Sequence, residues 1–404
     1  MSDRVDAGEV DLNDAEGTAG WRAGVITVLL AMLWAATESR AAVTLVDGVK
    51  GKLEMEARFM FWAVDSGPDL IAGTNTAPPP PQEENMTDFF VRRARLIFHV
   101  QLSKSLEIGL QVGQDNIGSK VLRDDAGFRV KDAFINYKKN DTLQLMAGQF
   151  KIPFLRQNLQ SGFNQLLVDR SLVTALRPAL EGSRDEGGMI WGNHKGLQYR
   201  VAVFDGSDQE DINTRSSVRG SARVSWNWFT PEPTYGLTGT TFGQKKILQI
   251  GVQGDAQNAR LDSRDDPAFA TQTRAYRNWA VDLFYDQPLG AGAWAVTFEG
   301  AWLQRRDDYD APGLETRSID GDYVQAGVLM PGHLGPGRVQ LNARYESIHS
   351  ERGSADTDLD ASTFGMTWFT KGHDRKIQFD HINIHERPTD LDDDVYRLSL
   401  VVCF

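Results

Sequence analysis

A chain of 404 residues with 41% apolar, 10% aromatic and 24% charged residues can build an ordered fold but carries too much charge for a bundle of membrane helices. Its formal net charge of −12 argues against nucleic acid as a partner. The single cysteine, Cys403, excludes an intrachain disulfide framework and any paired-cysteine metal or redox motif.

The first apolar run, Ala23 to Ala36, is fourteen residues long, short for a spanning helix and suited to the apolar stretch of a secretory signal. Ser39 and Ala41 then supply a small-x-small cleavage pattern before Ala42. The spacing predicts a signal peptide over residues 1–41 and a single exported domain over 42–404. The segment before the run is acidic, with Arg4 and Arg22 against six carboxylates, where a signal is ordinarily basic. Either the true start lies downstream or the segment is a membrane anchor.

From Val49 onward the sequence repeats one pattern, about ten residues of apolar–polar alternation followed by a break. The first run sets Leu53, Met55, Ala57, Phe59 and Phe61 against Lys52, Glu54, Glu56 and Arg58. The second, "FVRRARLIFHVQLS", sets Ala94, Leu96, Phe98 and Val100 against Arg93, Arg95, His99 and Gln101. Further runs begin near Leu106, Phe128, Thr142, Gly187, Gly196, Gly220, Lys246, Tyr276, Ala293, Asp322, Arg338, Leu359, Arg375 and Val395, which makes sixteen strands. The connections alternate in length. "SKS", "KKND", "NHKG", "QPLGAG", "PGHLGPG" and "TKGHD" are tight turns, and the intervening ones are long and polar. Only "TPEPTYGLTGTTFGQKK" is long on the short side. An even number of strands with short and long connections in alternation predicts an all-β fold, a transmembrane antiparallel barrel of about sixteen strands.

The aromatic residues near strand ends, Phe61 and Trp62, Phe89 and Phe90, Trp226 and Trp228, Trp302, Trp368 and Phe369, and Phe404, are expected to form interfacial girdles. The last strand, "VYRLSLVVCF", presents Tyr396, Leu398, Leu400, Val402 and Phe404 on one side and is read as a lipid-facing strand that closes the ring. A terminal aromatic strand of this kind resembles the signal read by the outer-membrane barrel assembly machinery.

The longest connection follows "GQFKIPF" and is too apolar for a solvated loop. Leu155, Leu159, Leu166, Leu167, Val168, Leu172, Val173 and Leu176 predict that it folds into the barrel and leans on the wall. It offers Lys151, Arg156, Arg170 and Arg177 against Asp169 and Glu181, a local cationic excess in an acidic chain.

The runs "FFVRRARLIFHVQLS", "GQFKIPF" and "VDRSLVTALRPALEGSRDEGGMIWG" resemble the phosphate-selective porin O/P family, most closely over residues 88 to 205. That resemblance implies a sixteen-strand barrel, usually trimeric, whose third outer loop folds inward and whose arginines and lysines select anions. Carried onto this chain, it marks Arg93, Arg95, Lys151, Arg170 and Arg177; Arg156 belongs to the same cationic loop. Strand parity adds Arg58, Arg200, Arg223 and Arg344 as possible wall residues. Guanidinium groups match an oxyanion with forked hydrogen bonds, and several modest sites in file conduct better than one tight one. Interleaved Glu54, Glu56, Glu107, Glu299 and Glu346 break a clean basic ladder.

No catalytic motif is present, so the chain is not read as an enzyme, and no cofactor is called for. His381 and His385 lie roughly 13 Å apart on a strand rising about 3.3 Å per residue, too far to share a metal. The expected function is therefore diffusion of inorganic phosphate or similar small anions across a Gram-negative outer membrane. Lipid and lipopolysaccharide surround the barrel, and a homotrimer is the expected assembly. Two alternatives stand beside it: a general or cation-preferring porin, and a barrel plugged by its long loop.

Overall fold

A computed structural model describes residues 42–48, 51–66, 86–120, 122, 127–175, 183–206, 218–260, 273–290, 294–309, 315–352, 355–387 and 391–404. The expected signal segment, residues 1–41, lies outside them.

Sixteen strands form the ring. In chain order they begin with β2 (Gly51–Ser66), β3 (Met86–Ser103), β4 (Leu106–Ile117), β5 (Arg129–Lys138) and β6 (Gln144–Lys151). Next come β7 (Arg184–His194), β8 (Leu197–Phe204), β9 (Arg219–Asn227), β10 (Ile247–Arg260) and β11 (Thr273–Leu289). The series ends with β12 (Trp294–Tyr309), β13 (Arg317–Leu329), β14 (Arg338–Arg352), β15 (Ala355–Lys371), β16 (Arg375–Arg387) and β17 (Leu391–Cys403). Each pairs antiparallel with its neighbour in sequence, and β17 returns to β2 with Val395 opposite Ser66 and Cys403 opposite Arg58. Closure leaves no strand edge for water or lipid to attack, which is what lets a sheet cross a membrane.

The last residue takes part in the closing seam. Phe404 donates its N–H to the Ala57 carbonyl at 2.8 Å and accepts from the Ala57 N–H at 3.2 Å. Its ring meets Phe59 edge to face at 6.3 Å between centroids. Below that point the edge of β2 is taken over by a short strand the alternation had not revealed, β1 (Val43–Gly48), paired from Val43 opposite Met55 to Gly48 opposite Gly51.

Alternation divides the sheet into two faces. On one, Val201, Val203, Val224, Val252, Val324, Leu341, Phe364 and Met366 stand exposed, an apolar surface for lipid. On the other, Arg200, Arg223, Gln253, Asp282, Gln325, Arg344 and Asp380 are buried inside the ring. The girdle expectation is corrected at the paired aromatics. Phe89, Trp226, Trp228 and Phe404 are exposed, but Trp62, Phe90 and Phe369 are buried on the inner face. Consecutive strand residues point to opposite sides, so an adjacent aromatic pair cannot put both rings in one girdle.

Candidate functional site

The connection from Ile152 to Ser183 joins β6 to β7, yet several of its hydrogen bonds reach strands β11 to β16 across the ring. The Arg156 N–H donates to Asp282 on β11 at 2.9 Å, and Gln160 to Glu299 on β12 at 3.2 Å. The Val168 N–H meets Asp380 on β16 at 3.0 Å, and the Leu172 N–H meets Glu346 on β14. All four carboxylates sit on the buried, polar face. Two single turns of helix, α1 (Arg156–Leu159) and α2 (Leu172–Ala175), interrupt the otherwise irregular path.

Apolar contact fixes the connection as well. Leu155, Leu159, Leu166, Leu167, Val168 and Val173 are all buried, and Leu176 lies outside the described residues. Ile152, Phe154, Leu155 and Val173 join Phe150, Trp191, Phe204, Leu303 and Tyr323 in one cluster, and Phe163 and Val168 join Met60, Trp62 and Phe90 in another. Two glycines make sockets. A Cβ on Gly365 would stand 2.6 Å from Leu167 Cδ2, and one on Gly327 would stand 2.8 Å from Leu166 Cδ1.

The connection also meets a second segment, residues 228–246, whose stretch from Thr230 to Lys246 stands out in sequence only as too long for its side of the barrel. Arg156 forms a two-pronged bond to Glu232, at 2.7 and 2.8 Å, and donates to the Thr238 carbonyl at 2.9 Å. Tyr235 donates to the Lys151 carbonyl and packs on Phe150, Trp191 and Phe134. Arg200 points to the same segment, donating to the carbonyls of Thr234 and Tyr235. Arg223 is held by Asp282, with one arm at 2.8 Å.

A different set of cations gathers around residues 157–170. Arg93 reaches Asp169 Oδ1 at 3.0 Å, and its guanidinium lies over Gly162, where a Cβ would come within 3.1 Å. Arg170 donates to the carbonyls of Gln157 and Gln160, and Lys151 donates to the same Gln160 carbonyl at 2.7 Å. Arg344 donates to the Asp169 carbonyl at 3.0 Å, and Arg58 approaches Ser161 Oγ at 3.4 Å while pairing with Glu56. Arg95 turns away, to Asp115 on β4. Arg177 lies outside the described residues.

Alternation had missed one member. Arg92 should face outward next to Arg93, but the register of β2 against β3 jumps between Met60/Arg93 and Phe61/Val91, leaving Arg92 in a bulge. Arg92 therefore also reaches Asp169, at Oδ2, 3.0 Å away, and stands 4.9 Å above the Trp62 ring. The doubled arginine inside an alternating run was the trace of it. Two guanidinium groups thus hold one carboxylate, and the next residue, Arg170, adds its backbone N–H at 2.9 Å. Burial alone would raise the Asp169 pKa, but Arg93, Arg92 and Arg170 outweigh it and hold the carboxyl well below the usual carboxylate range. Burial, then Arg93, pushes the Arg170 guanidinium down from its ordinary value.

A closed ring of sixteen antiparallel strands, apolar outside and polar within, defines an outer-membrane β-barrel channel. Residues 74–401 match the family Phosphate-selective porin O and P, and the chain belongs to it. An uncharacterised protein of Aquifex aeolicus (strain VF5) is 25% identical over 350 residues, 80% of this chain and 82% of that protein. Among solved structures, an anion-selective porin from Comamonas acidovorans shares the fold over 88% of this chain and 100% of its own, with TM-score 0.55 and 10% identity. The trimer form of OmpT, an outer membrane protein of Vibrio cholerae, matches over 88% and 99%, with TM-score 0.56 and 9% identity. Family and fold together indicate the outer membrane of a Gram-negative bacterium.

Proposed function

We propose that the protein is an anion-preferring diffusion channel for small oxyanions, inorganic phosphate among them. The 152–183 connection forms its constriction, and the protein conducts without catalysing a reaction. The observation that carries this reading is the group Arg92, Arg93 and Arg170 around a single carboxylate, on a connection that bonds across the ring. An excess of fixed positive charge at a narrow point lowers the barrier to anions and raises it for cations. Lys151 adds the same sign beside it, whereas Arg58 and Arg344 are paired with Glu56 and Glu346. Arg156, Arg200 and Arg223 brace the two inner segments, and their charge serves architecture first. Membership of a family named for phosphate and likeness to an anion-selective porin support the selectivity.

Three chains assemble, as in the trimeric structure of similar fold. The chain is exported with cleavage near Ala41, and the Phe404 strand is recognised by the barrel assembly machinery. Lipid and lipopolysaccharide surround the outer face.

The test is the zero-current potential of the purified protein in a planar bilayer under a chloride gradient, followed by titration with phosphate. Anion selectivity with phosphate block is expected. Cation selectivity would leave a general porin on the same scaffold. A second reading is favoured by the meeting of the 152–183 and 228–246 segments: a barrel braced shut, which would pass no steady current.

A further inference from the structure

We propose that the Asp169 carboxylate is a tethered stand-in for the permeating oxyanion, occupying the Arg92–Arg93–Arg170 site between ions and yielding it when one binds. This rests on the anion-channel reading above and adds how the site keeps its affinity modest.

The geometry of Asp169 is that of a bound ligand. Each carboxylate oxygen takes a different arginine, Oδ2 from Arg92 and Oδ1 from Arg93, both at 3.0 Å, and Oδ1 also accepts the Arg170 backbone N–H at 2.9 Å. A phosphate offers the same two-oxygen edge to the same forked donors, with further oxygens left for the Arg170 side chain. The bulge in β3 is what lets two consecutive arginines converge on one acceptor.

Its surroundings separate this carboxylate from three that anchor the connection. Asp282, Glu346 and Asp380, which anchor the connection, have side-chain exposures of 1%, 0% and 0%, whereas Asp169 is 13% exposed. Moreover, Asp282 and Asp380 each hold one arginine with both oxygens, a closed pair, while Asp169 bridges two and has the third beside it. Three cations against one carboxylate leave a surplus even with Asp169 in place. With the carboxylate swung aside, the surplus grows to suit a dianion. The anchors on either side, Val168 to Asp380 and Leu172 to Glu346, hold the backbone while the side chain moves. An ion that must displace a resident carboxylate binds more weakly and leaves faster, which is what throughput requires.

The experiment compares wild type with Asp169→Asn and Asp169→Ser in planar bilayers, reading the phosphate concentration that halves the chloride current. Removing the competitor is expected to lower that concentration about tenfold, the worth of one charge-assisted contact regained. Half-block unchanged or raised in both variants, with wild type still anion-selective and phosphate-sensitive, overturns the stand-in role and leaves the channel reading intact. Cation selectivity of the wild type, or indifference of wild type and variants alike to phosphate, overturns both. A measurement without mutation guards against misfolded variants: crystals of the wild type grown with phosphate should show the anion on Arg92 and Arg93 with Asp169 displaced. Phosphate bound elsewhere with the Asp169 bridge intact overturns the proposal.

Discussion

Two sets of arginines lie inside this barrel, and they are built differently. Around Arg156 and Arg223 each guanidinium has a carboxylate of its own, Glu232 and Asp282, and all four side chains are nearly free of solvent contact. Around Asp169, two guanidinium groups share one carboxylate, Arg170 stands beside it with its own guanidinium on two backbone carbonyls, and Arg92 and Asp169 keep side-chain exposures of 12% and 13%. The first arrangement is neutral and closed, so it can hold segments together but has nothing to offer a passing ion. The second holds more positive than negative charge and is less completely buried at Arg92 and Asp169. Local charge balance and exposure, more than the presence of arginine, distinguish a brace from a binding site.

The comparison can be broken most forcefully at the brace. Replacing Arg156 by Met strands Glu232 in a buried setting, and the expected loss is about 3–5 kcal/mol of stability, read as a lower temperature for loss of the folded band on a heat-modifiability gel. Gly365→Val acts on the same connection by filling the socket under Leu167, and an overpacking cost of about 1–3 kcal/mol is expected on the same gel. At the open cluster the effect should move from stability to selectivity. Arg170→Gln keeps donors for the Gln157 and Gln160 carbonyls but removes a charge, and the reversal potential should fall toward zero with little change in melting. A full retention of anion selectivity there would remove Arg170 from the site.

Acidity gives a finer distinction. The Asp169 pKa is depressed, so its contact with Arg92 and Arg93 is fully present above the ordinary carboxylate value and is lost only as pH falls through the depressed one. Chloride selectivity of the wild type and of Asp169→Asn should therefore follow the same course from pH 8 down to about pH 5, and a step within that window present only in the wild type would contradict the assignment. The smallest effect is expected at the exposed pair of Arg306 and Asp308, where Arg306→Ala should leave both melting and conductance unchanged.

Much of the fold was legible because a barrel is encoded locally. Alternation within each run and the lengths of the breaks were enough to find sixteen strands, to mark the long connection after Lys151, and to assign Arg58, Arg93, Arg200, Arg223 and Arg344 to the inward face. Less was legible of the site. Arg92 was hidden by a bulge that shifts register without changing composition. The role of residues 228–246 was visible only as an unexplained length, and Arg156 looked the same in sequence as Arg170 although one is neutralised and the other is not.

What sequence determined by itself is whatever repeats with period two: which segments are strands, which side of each is apolar, and that the ring closes on the Phe404 strand. What only the tertiary structure decided is which charges meet. Arg92 and Asp169 are 77 residues apart, Arg156 and Glu232 76, and Leu172 and Glu346 174. No local pattern fixes such partners. They are set by where a closed ring and two segments bonded to its polar face bring side chains together, and by the cost of burying a charge that finds no counterpart.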